Sequence, residues 1–200
     1  MVTHADLASE RVITEAISNA FPRHTMLREE TEFAGDFDAD HLWVIDPLDA
    51  TKNYAHGIPH FCVSIAYAHR GRPQVGVVYD PNLDEMFWAT RGGGAWLNGE
   101  RIRVAEPLGL QQSIFSTGFF YDRGPMMEQT LRSIHALFQA NIRGLRRMGA
   151  AALDMSWVAA GRFAGFFEYE LAPWDYAAGW LIVEEAGGIC LDRSANEMTL

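Results

Sequence analysis

The densest group of chemically active side chains in the sequence is Asp-Pro-Leu-Asp-Ala-Thr-Lys-Asn, residues 46–53. Asp46 and Asp49 lie three positions apart, directly after the apolar run 42–45. An apolar run that ends in Asp-Pro is typical of a buried strand followed by a turn. Such a turn can direct Asp46, the carbonyl of Leu48 and Asp49 at one point. Because hard cations such as Mg²⁺ prefer oxygen ligands, the segment predicts a metal site.

The residues that follow this turn favour an anion site in the same place. If a helix starts at Ala50 or Thr51, its free N–H groups face the metal ligands and favour a phosphate there. An Asp in front of a helix is, however, more often a cap than a metal ligand, and Asp-Pro begins many turns. From the spacing alone, both interpretations of Asp49 stay open.

Hydrophobic periodicity predicts the elements that must position these residues, with helices and strands interleaved to the end of the chain. The Asn98-Gly99 pair suits a type I′ turn, which predicts a tight hairpin over residues 95–102. Helices are predicted at 7–21, 126–140, 149–160 and 175–186, and strands at 42–45, 61–68, 73–79, 113–117, 163–168 and 189–191. We expect an N-terminal α+β part over residues 1–112 and a C-terminal α/β part over 113–200, packed as one compact unit.

Composition limits the classes of function. The chain has 200 residues, of which 48% are hydrophobic, and a formal net charge of -10, so attraction to nucleic acid or to an anionic membrane is not expected. The sequence has no basic segment followed by an apolar leader and no apolar run near the roughly 18 residues of a membrane helix, so a cytoplasmic protein is expected. Cys62 and Cys190 lie in apolar runs and are interpreted as small buried residues.

Four motifs occur along the chain in a fixed order: Thr3-His-Ala-Asp6, Glu29-Glu30, Asp46-Pro-Leu-Asp49-Ala-Thr51-Lys-Asn-Tyr54 and Trp174-Asp175-Tyr-Ala-Ala-Gly179. The set resembles the inositol monophosphatase family, part of the Mg-dependent, lithium-sensitive phosphatase superfamily. The resemblance covers essentially the whole chain. It implies an α+β fold, a layered α-β-α-β-α sandwich of the inositol monophosphatase/sugar phosphatase type.

The resemblance also implies a role for each acidic motif. Two or three Mg²⁺ ions would be bound by Glu29, Asp46, the Leu48 carbonyl, Asp49 and Asp175. Glu29 would share a water with a metal, and Thr51, hydrogen-bonded to Asp6, would help to take its proton, which makes these three the catalytic residues. The activated water would attack phosphorus in line, and a second ion would stabilise the leaving alkoxide.

Substrate binding is assigned by the same resemblance, with Glu168 as the acceptor for a hydroxyl of the alcohol. The full substrate-binding set is Asp49, Ala50, Thr51, Gly149, Ala150, Ala151, Glu168 and Asp175. Taken without the resemblance, Asp6 and Asp175 are interpreted as helix caps, Glu168 as a surface carboxylate and Glu29 as part of a solvated loop. Lys52 lies next to the expected phosphate site, where it would add a positive charge or, as is more common for a lysine in a first helical turn, be solvated.

Three features depart from the family's pattern. Ala50 stands where the family usually has Gly, and a positive φ there would cost about 1 kcal/mol. Arg28 stands where the family usually has Gly before the Glu pair, so it would crowd the loop or bring a cation toward substrate. The family's extra N-terminal helix and final strand-and-helix segment have no counterpart, so we expect a fold truncated at both ends and partial or fragile activity.

Together these features predict a Mg²⁺-dependent phosphomonoesterase that hydrolyses inositol monophosphate or a similar small polyol or sugar phosphate. The sequence leaves histidinol phosphate, fructose bisphosphate and a 3′-phosphonucleotide open as substrates of the same mechanism. A non-catalytic regulatory scaffold is the alternative of another class, although a scaffold has no need of a repelling carboxylate cluster. The expected partner is a small phosphorylated alcohol, with neither nucleic acid nor membrane, and the runs Phe87-Trp88 and Trp96-Leu97 favour a homodimer.

Overall fold

Ten strands form two sheets in the computed structural model, which describes residues 1–31, 35–106, 108–119 and 123–200. The first sheet contains β1 Thr25–Arg28, β2 Leu42–Asp49, β3 Cys62–His69, β4 Arg72–Asp80, β5 Glu85–Thr90, β6 Gly94–Leu97 and β7 Glu100–Ile102. These strands lie side by side in chain order; β1 and β2 are parallel and every later pair is antiparallel. The second sheet contains β8 Ile114–Thr117, β9 Gly144–Arg146 and β10 Gly165–Phe167, all parallel, in the order β10-β8-β9.

The helices separate and cover these sheets. In the described ranges they are α1 His4–Ala20, α2 Thr51–Ala55, α3 Pro125–Gln139, α4 Ala151–Ala159 and α5 Pro173–Glu185. α4 and α5 pack against each other; α5 contacts β3, β4 and β5, while α4 contacts β10. The pair therefore forms the layer between the two sheets. α1 packs against β2, the strand that ends in the predicted metal ligands.

The central helix α5 is apolar on all sides, as expected for a helix that is covered by two layers. Residues 176–183 are buried without interruption. Gly76 in β4 permits the close approach of this helix, because a Cβ at that position would lie 2.8 Å from the carbonyl oxygen of Ala178. The facing side of β3 is likewise built from small side chains: Cys62, Ser64, Ala66 and Ala68.

Most of the predicted elements are confirmed. All four predicted helices are present, β3 and β4 correspond to the strands predicted at 61–68 and 73–79, and β6 with β7 forms the predicted hairpin. At the turn of this hairpin, Asn98 and Gly99 both have positive φ, 50° and 85°, as a type I′ turn requires. The sequence analysis does not predict β1, β5 and β9; β1 and β9 are four and three residues long and too short for a periodicity to be recognised.

The strand predicted at 189–191 is wrong. Among the described residues 187–200, Leu191 forms only an isolated bridge with Glu197, and Ile189 is 81% exposed. The run has the composition of a strand, but a strand needs a neighbouring strand to bond its backbone, and neither sheet of the described residues places one beside it. Among the described helices, none combines the length and apolar character needed to span a bilayer. The division at residue 112 stays a prediction.

Candidate metal centre

Three carboxylates from distant parts of the chain meet at one point. Asp46 and Asp49 lie near the end of β2, and Asp175 lies in the first turn of α5. One oxygen of each carboxylate lies within 4.8 Å of the others. Asp46 and Asp49 are buried, and Asp175 is half-buried. Residues separated by more than a hundred positions in sequence thus form one compact group of oxygen donors.

The junction between β2 and α2 is fixed by short-range hydrogen bonds. The N–H of Leu48 donates to Asp46 Oδ1 at 2.9 Å. The hydroxyl of Thr51 lies 3.2 Å from the Leu48 carbonyl and 2.9 Å from Asp6 Oδ1, and the shorter distance assigns its single proton to Asp6. Ala50 turns the chain in the left-handed region, with φ 72° and ψ 46°. The hydrogen bond from Thr51 to Asp6 is the contact that the sequence analysis expected.

Asp49 is held from two sides. Its Oδ2 accepts a hydrogen bond from the N–H of Ala152 in α4 at 2.8 Å, and the thiol of Cys62 on β3 donates to the same oxygen at 3.6 Å. Burial raises the pKa of the Cys62 thiol well above its usual value, so the thiol stays a donor. Cys62 is buried as predicted, but its contact with Asp49 is not visible in the sequence. Cys190, also predicted to be buried, is only half-buried.

Asp6 and Asp175 support helix starts from inside the helix, which corrects their interpretation as the capping residues themselves. The N-cap of α1 is Thr3, whose N–H donates to Asp6 Oδ2 at 2.7 Å. The N-cap of α5 is Ala172, whose N–H donates to Asp175 Oδ2 at 2.7 Å. Each carboxylate uses one oxygen for its helix, which leaves the second oxygen for the site: Asp6 Oδ1 accepts from the Thr51 hydroxyl.

Glu29 lies in the turn directly after β1. Its N–H donates to the carbonyl of Ile45 at 3.2 Å, and its side chain hydrogen-bonds with Asp46. Burial raises the pKa of Glu29 to about 7; the contact with Asp46 lowers it and the charge of Asp175 raises it. Two carboxyl groups in hydrogen-bonding contact need a proton between them. Glu29 is thus attached to the cluster, and its interpretation as part of a solvated loop is wrong.

The carboxyl pKa values rise throughout the cluster. Burial raises the pKa of Asp46 and of Asp49, and the charges of neighbouring carboxylates raise both further. Burial raises the pKa of Asp175 to about 6, although the hydrogen bond from Ala172 lowers it. These directions are expected where negative groups are crowded away from water. A cation would relieve the repulsion, and oxygen donors suit a hard one, so these residues fit Mg²⁺.

A cleft of about 290 Å³ opens over the carboxylates. Its lining includes the predicted substrate residues Ala50, Thr51, Gly149, Ala151 and Glu168, together with Lys52. Ala150 is completely buried behind this wall as the N-cap residue of α4, so it supports the cleft instead of lining it.

The segment before α4 is shaped by a required glycine. Gly149 has φ 99°, and a Cβ at this position would lie 2.3 Å from Nη1 of Arg147. The side-chain amide of Asn53 in α2 donates to the carbonyl of Met148 at 2.9 Å, which fastens the segment to the metal-binding junction. Asn53 therefore connects two segments of the predicted substrate site, residues 49–51 and 149–151. The sequence analysis assigned no role to Asn53.

Glu168, which follows β10, is set into the cleft by another glycine. A Cβ on Gly118 would lie 1.8 Å from Glu168 Oε2, so only glycine leaves room for this carboxylate. Burial raises the pKa of Glu168 to about 7; Arg147 lowers it and Asp175 raises it. Glu168 is therefore not an ordinary surface carboxylate. The sequence analysis missed Gly118 and Arg147, although an arginine two positions before Gly149 is a signal of positive charge near the site.

Comparison with known proteins identifies the family. A sequence model of the inositol monophosphatase family matches residues 1–200, the whole chain. The chain belongs to the inositol monophosphatase family. It is 47% identical to the curated protein Nus factor SuhB of Escherichia coli (strain K12) over 191 residues, which cover 96% of this chain and 71% of that protein.

Solved structures with the inositol monophosphatase fold superpose closely. The inositol monophosphatase from Anabaena (Nostoc) sp. PCC 7120 is 43% identical, with a TM-score of 0.92, and the match covers 99% of this chain and 78% of that one. An IMPase/NADP phosphatase solved with Mg²⁺ and phosphate is 29% identical, with a TM-score of 0.88, and the match covers 99% and 73% of the two chains. The predicted layered sandwich of the inositol monophosphatase type is confirmed.

The two cationic residues predicted near the site, Lys52 and Arg28, differ in position. Lys52 lines the cleft. Arg28 does not; its Nη1 lies 3.6 Å from Glu10 Oε1, so the side chain faces α1. The expectation that Arg28 brings a cation toward substrate is wrong, because the carboxylate of α1 provides the nearer partner.

Ala50→Gly is expected to raise the free energy of unfolding by about 0.5–1 kcal/mol. A left-handed backbone costs a residue with a Cβ about 1–2 kcal/mol, and the larger unfolded-state entropy of glycine offsets part of the gain. Urea denaturation measures the change. Ala195→Gly, at φ 62° in an exposed turn, is a matched control that should gain similarly without touching the site. An Ala50→Gly protein less stable than wild type would contradict the strain at this position.

Proposed function

We propose that this chain is a Mg²⁺-dependent phosphomonoesterase that acts on inositol monophosphate or a similar small polyol or sugar phosphate. The observation that carries the proposal is the cluster of Asp46, Asp49 and Asp175 beneath a cleft, with one oxygen of each within 4.8 Å of the others. The similarity of this chain to an IMPase/NADP phosphatase solved with Mg²⁺ and phosphate supports the choice of ion and of reaction.

Two or three Mg²⁺ ions would be held by Glu29, Asp46, the Leu48 carbonyl, Asp49 and Asp175. When bound, the ions supply positive charge that neutralises the phosphate, acidifies a water and stabilises the leaving alkoxide. The protein's part is to hold the donors in place and out of bulk water. The N–H of Ala152 and the thiol of Cys62 orient Asp49, and the N–H of Leu48 orients Asp46.

Proton transfer would fall to Thr51, Asp6 and Glu29. The Thr51 hydroxyl donates to buried Asp6, so its lone pairs remain available to accept a hydrogen bond from the attacking water. The N–H of Thr3 fixes the Asp6 carboxylate in this arrangement. Glu29 interacts with the Asp46 carboxyl group and would orient the same water. A water aligned by two groups can lose its proton while it attacks phosphorus.

The alcohol part of the substrate would lie between Glu168 and the start of α4. Glu168 would accept a hydroxyl, and the backbone at Gly149 and Ala151 would form the facing wall. Arg147 lines the same cleft and offsets part of the effect of burial on Glu168, whose pKa is still raised to about 7.

A panel of phosphomonoesters assayed with and without Mg²⁺ tests the proposal. It contains inositol monophosphate, histidinol phosphate, fructose bisphosphate and a 3′-phosphonucleotide. We expect phosphate release only with Mg²⁺ and the highest kcat/KM for inositol monophosphate. Thr51→Ala is expected to lower kcat roughly 100-fold, because the water loses the group that orients it.

Thr199→Ala is the matched control for this substitution, since the Thr199 side chain is exposed and distant in sequence from the motif. It should retain the wild-type kcat. A folded protein that releases no phosphate from any ester in the panel would reject the proposed function. A folded protein that prefers another ester would retain the mechanism and replace the substrate.

A second role without catalysis is favoured by the similarity to a protein named Nus factor SuhB. In this role the chain would act as a regulatory scaffold for a protein or RNA partner, so the expected absence of a nucleic-acid partner stays a prediction. Complementation of an E. coli strain that lacks SuhB tests it. Equal complementation by wild type and Asp49→Asn would support the scaffold role, and complementation by wild type alone would attribute the effect to the metal site.

The homodimer and the cytoplasmic location also stay predictions. Trp88 and Trp96 stack with their ring centroids 5.5 Å apart and are half-buried, which supports an apolar contact on this side of the sheet. Phe87 is completely buried in the core, so it has no part in such a contact. Sedimentation of wild type and of Trp88→Ala measures whether these rings contribute to an interface.

A further inference from the structure

One face of α1 carries three polar side chains, Asp6, Ser9 and Glu10, at the spacing i, i+3 and i+4. The first two contact the junction of β2 and α2, where the Ser9 hydroxyl donates to the Pro47 carbonyl at 2.9 Å. Glu10 reaches a different segment, the turn that carries Glu29. The helix therefore contacts both chain segments that supply the N-terminal metal ligands.

Glu10 accepts hydrogen bonds from two neighbouring residues of this turn, Glu30 and Thr31. Glu10 is only 7% exposed. Its Oε2 accepts a hydrogen bond from the N–H of Glu30 at 3.2 Å, and its Oε1 accepts one from the Thr31 hydroxyl at 2.7 Å. Arg28 Nη1 lies 3.6 Å from Oε1, and Arg28 also forms an isolated antiparallel bridge with Thr31. The carboxylate thus holds a tight turn, 28–31, closed around Glu29.

The need for a carboxylate at this place is not explained by packing. Glu10 is buried within two turns of helix of Asp6, beside Glu30, where a further negative charge is unfavourable. An apolar side chain would fill the same space without that repulsion. What it could not do is accept hydrogen bonds from the Glu30 N–H and the Thr31 hydroxyl. The polar contacts with the turn therefore explain why a hydrogen-bond acceptor stands here, and the charge of Arg28 offsets part of the repulsion.

We infer that Glu10 is a positioning residue for Glu29, which it holds toward Asp46 by closing the 28–31 turn, and that it thereby sets the affinity of the cluster for divalent cations. The inference rests on the proposed function for the role of Glu29 as a metal ligand. Residues that orient the groups around a metal typically change metal affinity by about 10- to 100-fold when they are replaced. A residue that only stabilises the fold would leave the affinity of the folded protein unchanged.

Calorimetric titration of Mg²⁺ into metal-free protein tests the inference, together with hydrogen exchange at the Glu30 amide. Glu10→Ala is expected to weaken Mg²⁺ binding by about 10-fold or more and to speed exchange at Glu30, because both hydrogen bonds are lost. Glu10→Gln is expected to recover most of the affinity, since its amide oxygen can accept from the Glu30 N–H and its amino group can donate to the Thr31 hydroxyl. Glu15→Ala, an exposed position on α1, is the matched control and should bind as wild type does.

Thr31→Val provides a milder variant that keeps Glu10 and changes an exposed residue. It removes one of the two donors to Glu10 and is expected to weaken Mg²⁺ binding by about threefold. This variant decides the question if Glu10→Ala does not fold.

The inference would be overturned if folded Glu10→Ala bound Mg²⁺ with wild-type affinity, even if its Tm were lower. If Glu10→Ala does not fold, wild-type affinity in Thr31→Val would overturn it. Failure of Glu10→Gln to recover affinity would also overturn it, because the hydrogen bonds would then not be the cause. A wild-type protein that binds Mg²⁺ but hydrolyses no phosphomonoester would reject the proposed function alone and leave the Glu10 result to stand. A wild-type protein that binds no Mg²⁺ would overturn both.

Discussion

Asp49→Asn is expected to lower Mg²⁺-dependent phosphate release by roughly 1,000-fold, about 4 kcal/mol of transition-state stabilisation, while the protein stays folded. Asp49 supplies a buried charge to the cluster and accepts a hydrogen bond from Ala152. Asparagine can still accept that hydrogen bond through its carbonyl oxygen. Its NH₂ group would then replace the second carboxylate oxygen and repel a cation.

The same substitution is expected to raise the Tm of the metal-free protein. Burial and the charges of Asp175 and other carboxylates raise the pKa of Asp49, so the ionised group is unfavourable when no cation is bound. Asp84→Asn, at an exposed position distant from the cluster, is the matched control and should leave both activity and the Tm near wild type. Near-wild-type turnover by Asp49→Asn would contradict its role as a metal ligand.

The free energy of unfolding of the metal-free protein is expected to fall as pH rises from about 4.5 to 8. Burial raises the pKa of Glu168 and Glu29 to about 7 and that of Asp175 to about 6, all above their usual values. At a pH between a group's pKa in the unfolded protein and its higher pKa in the folded protein, the folded protein binds more protons than the unfolded one. The stability that these groups contribute is therefore present below about pH 4 and is lost as pH passes 6–7. For Glu168 and Asp175 together the loss is on the order of 4 kcal/mol after allowance for solvent screening.

Urea denaturation at pH 5 and pH 8, with EDTA or with excess Mg²⁺, measures this dependence. Mg²⁺ binds the ionised carboxylates of the folded state, so it should stabilise the protein strongly at pH 8 and weakly at pH 5. Asp175→Asn removes one of the titrating groups and should flatten the metal-free profile. A metal-free protein that is more stable at pH 8 than at pH 5 would contradict the electrostatic description of the cluster.

The elements around the site could be predicted where local sequence determines them. Alternating apolar residues predict β3 and β4, the Asn98-Gly99 pair predicts its hairpin, and apolar residues at helical spacing predict α1. β1 precedes the Glu29 turn but has only four residues, two of them apolar, and its parallel pairing with β2 is what makes it a strand. The apolar run 189–191 shows the opposite case, because its composition suits a strand but the described residues give it only the single bridge between Leu191 and Glu197.

The site could be predicted only as far as its motifs extend. Asp46 and Asp49 are close in sequence, so their grouping follows from one turn. Asp175 joins them only because α5 packs on the first sheet, a contact that no local pattern contains. Cys62 contacts Asp49 because β3 pairs with β2 in that register, and hydrophobic character alone gave no sign of it. The roles of Thr51 and Asp6 came from family resemblance, not from spacing.

Anomalous diffraction from crystals soaked in Mn²⁺ tests most directly whether the carboxylate cluster is a divalent-cation site. Mn²⁺ takes the same oxygen ligands as Mg²⁺ and is visible by its anomalous signal. The expected result is at least one peak within bonding distance of oxygens from Asp46, Asp49 and Asp175, and no peak there in Asp49→Asn. Absence of a peak at these residues in the wild type, or an unchanged peak in Asp49→Asn, would contradict a metal site built on this cluster.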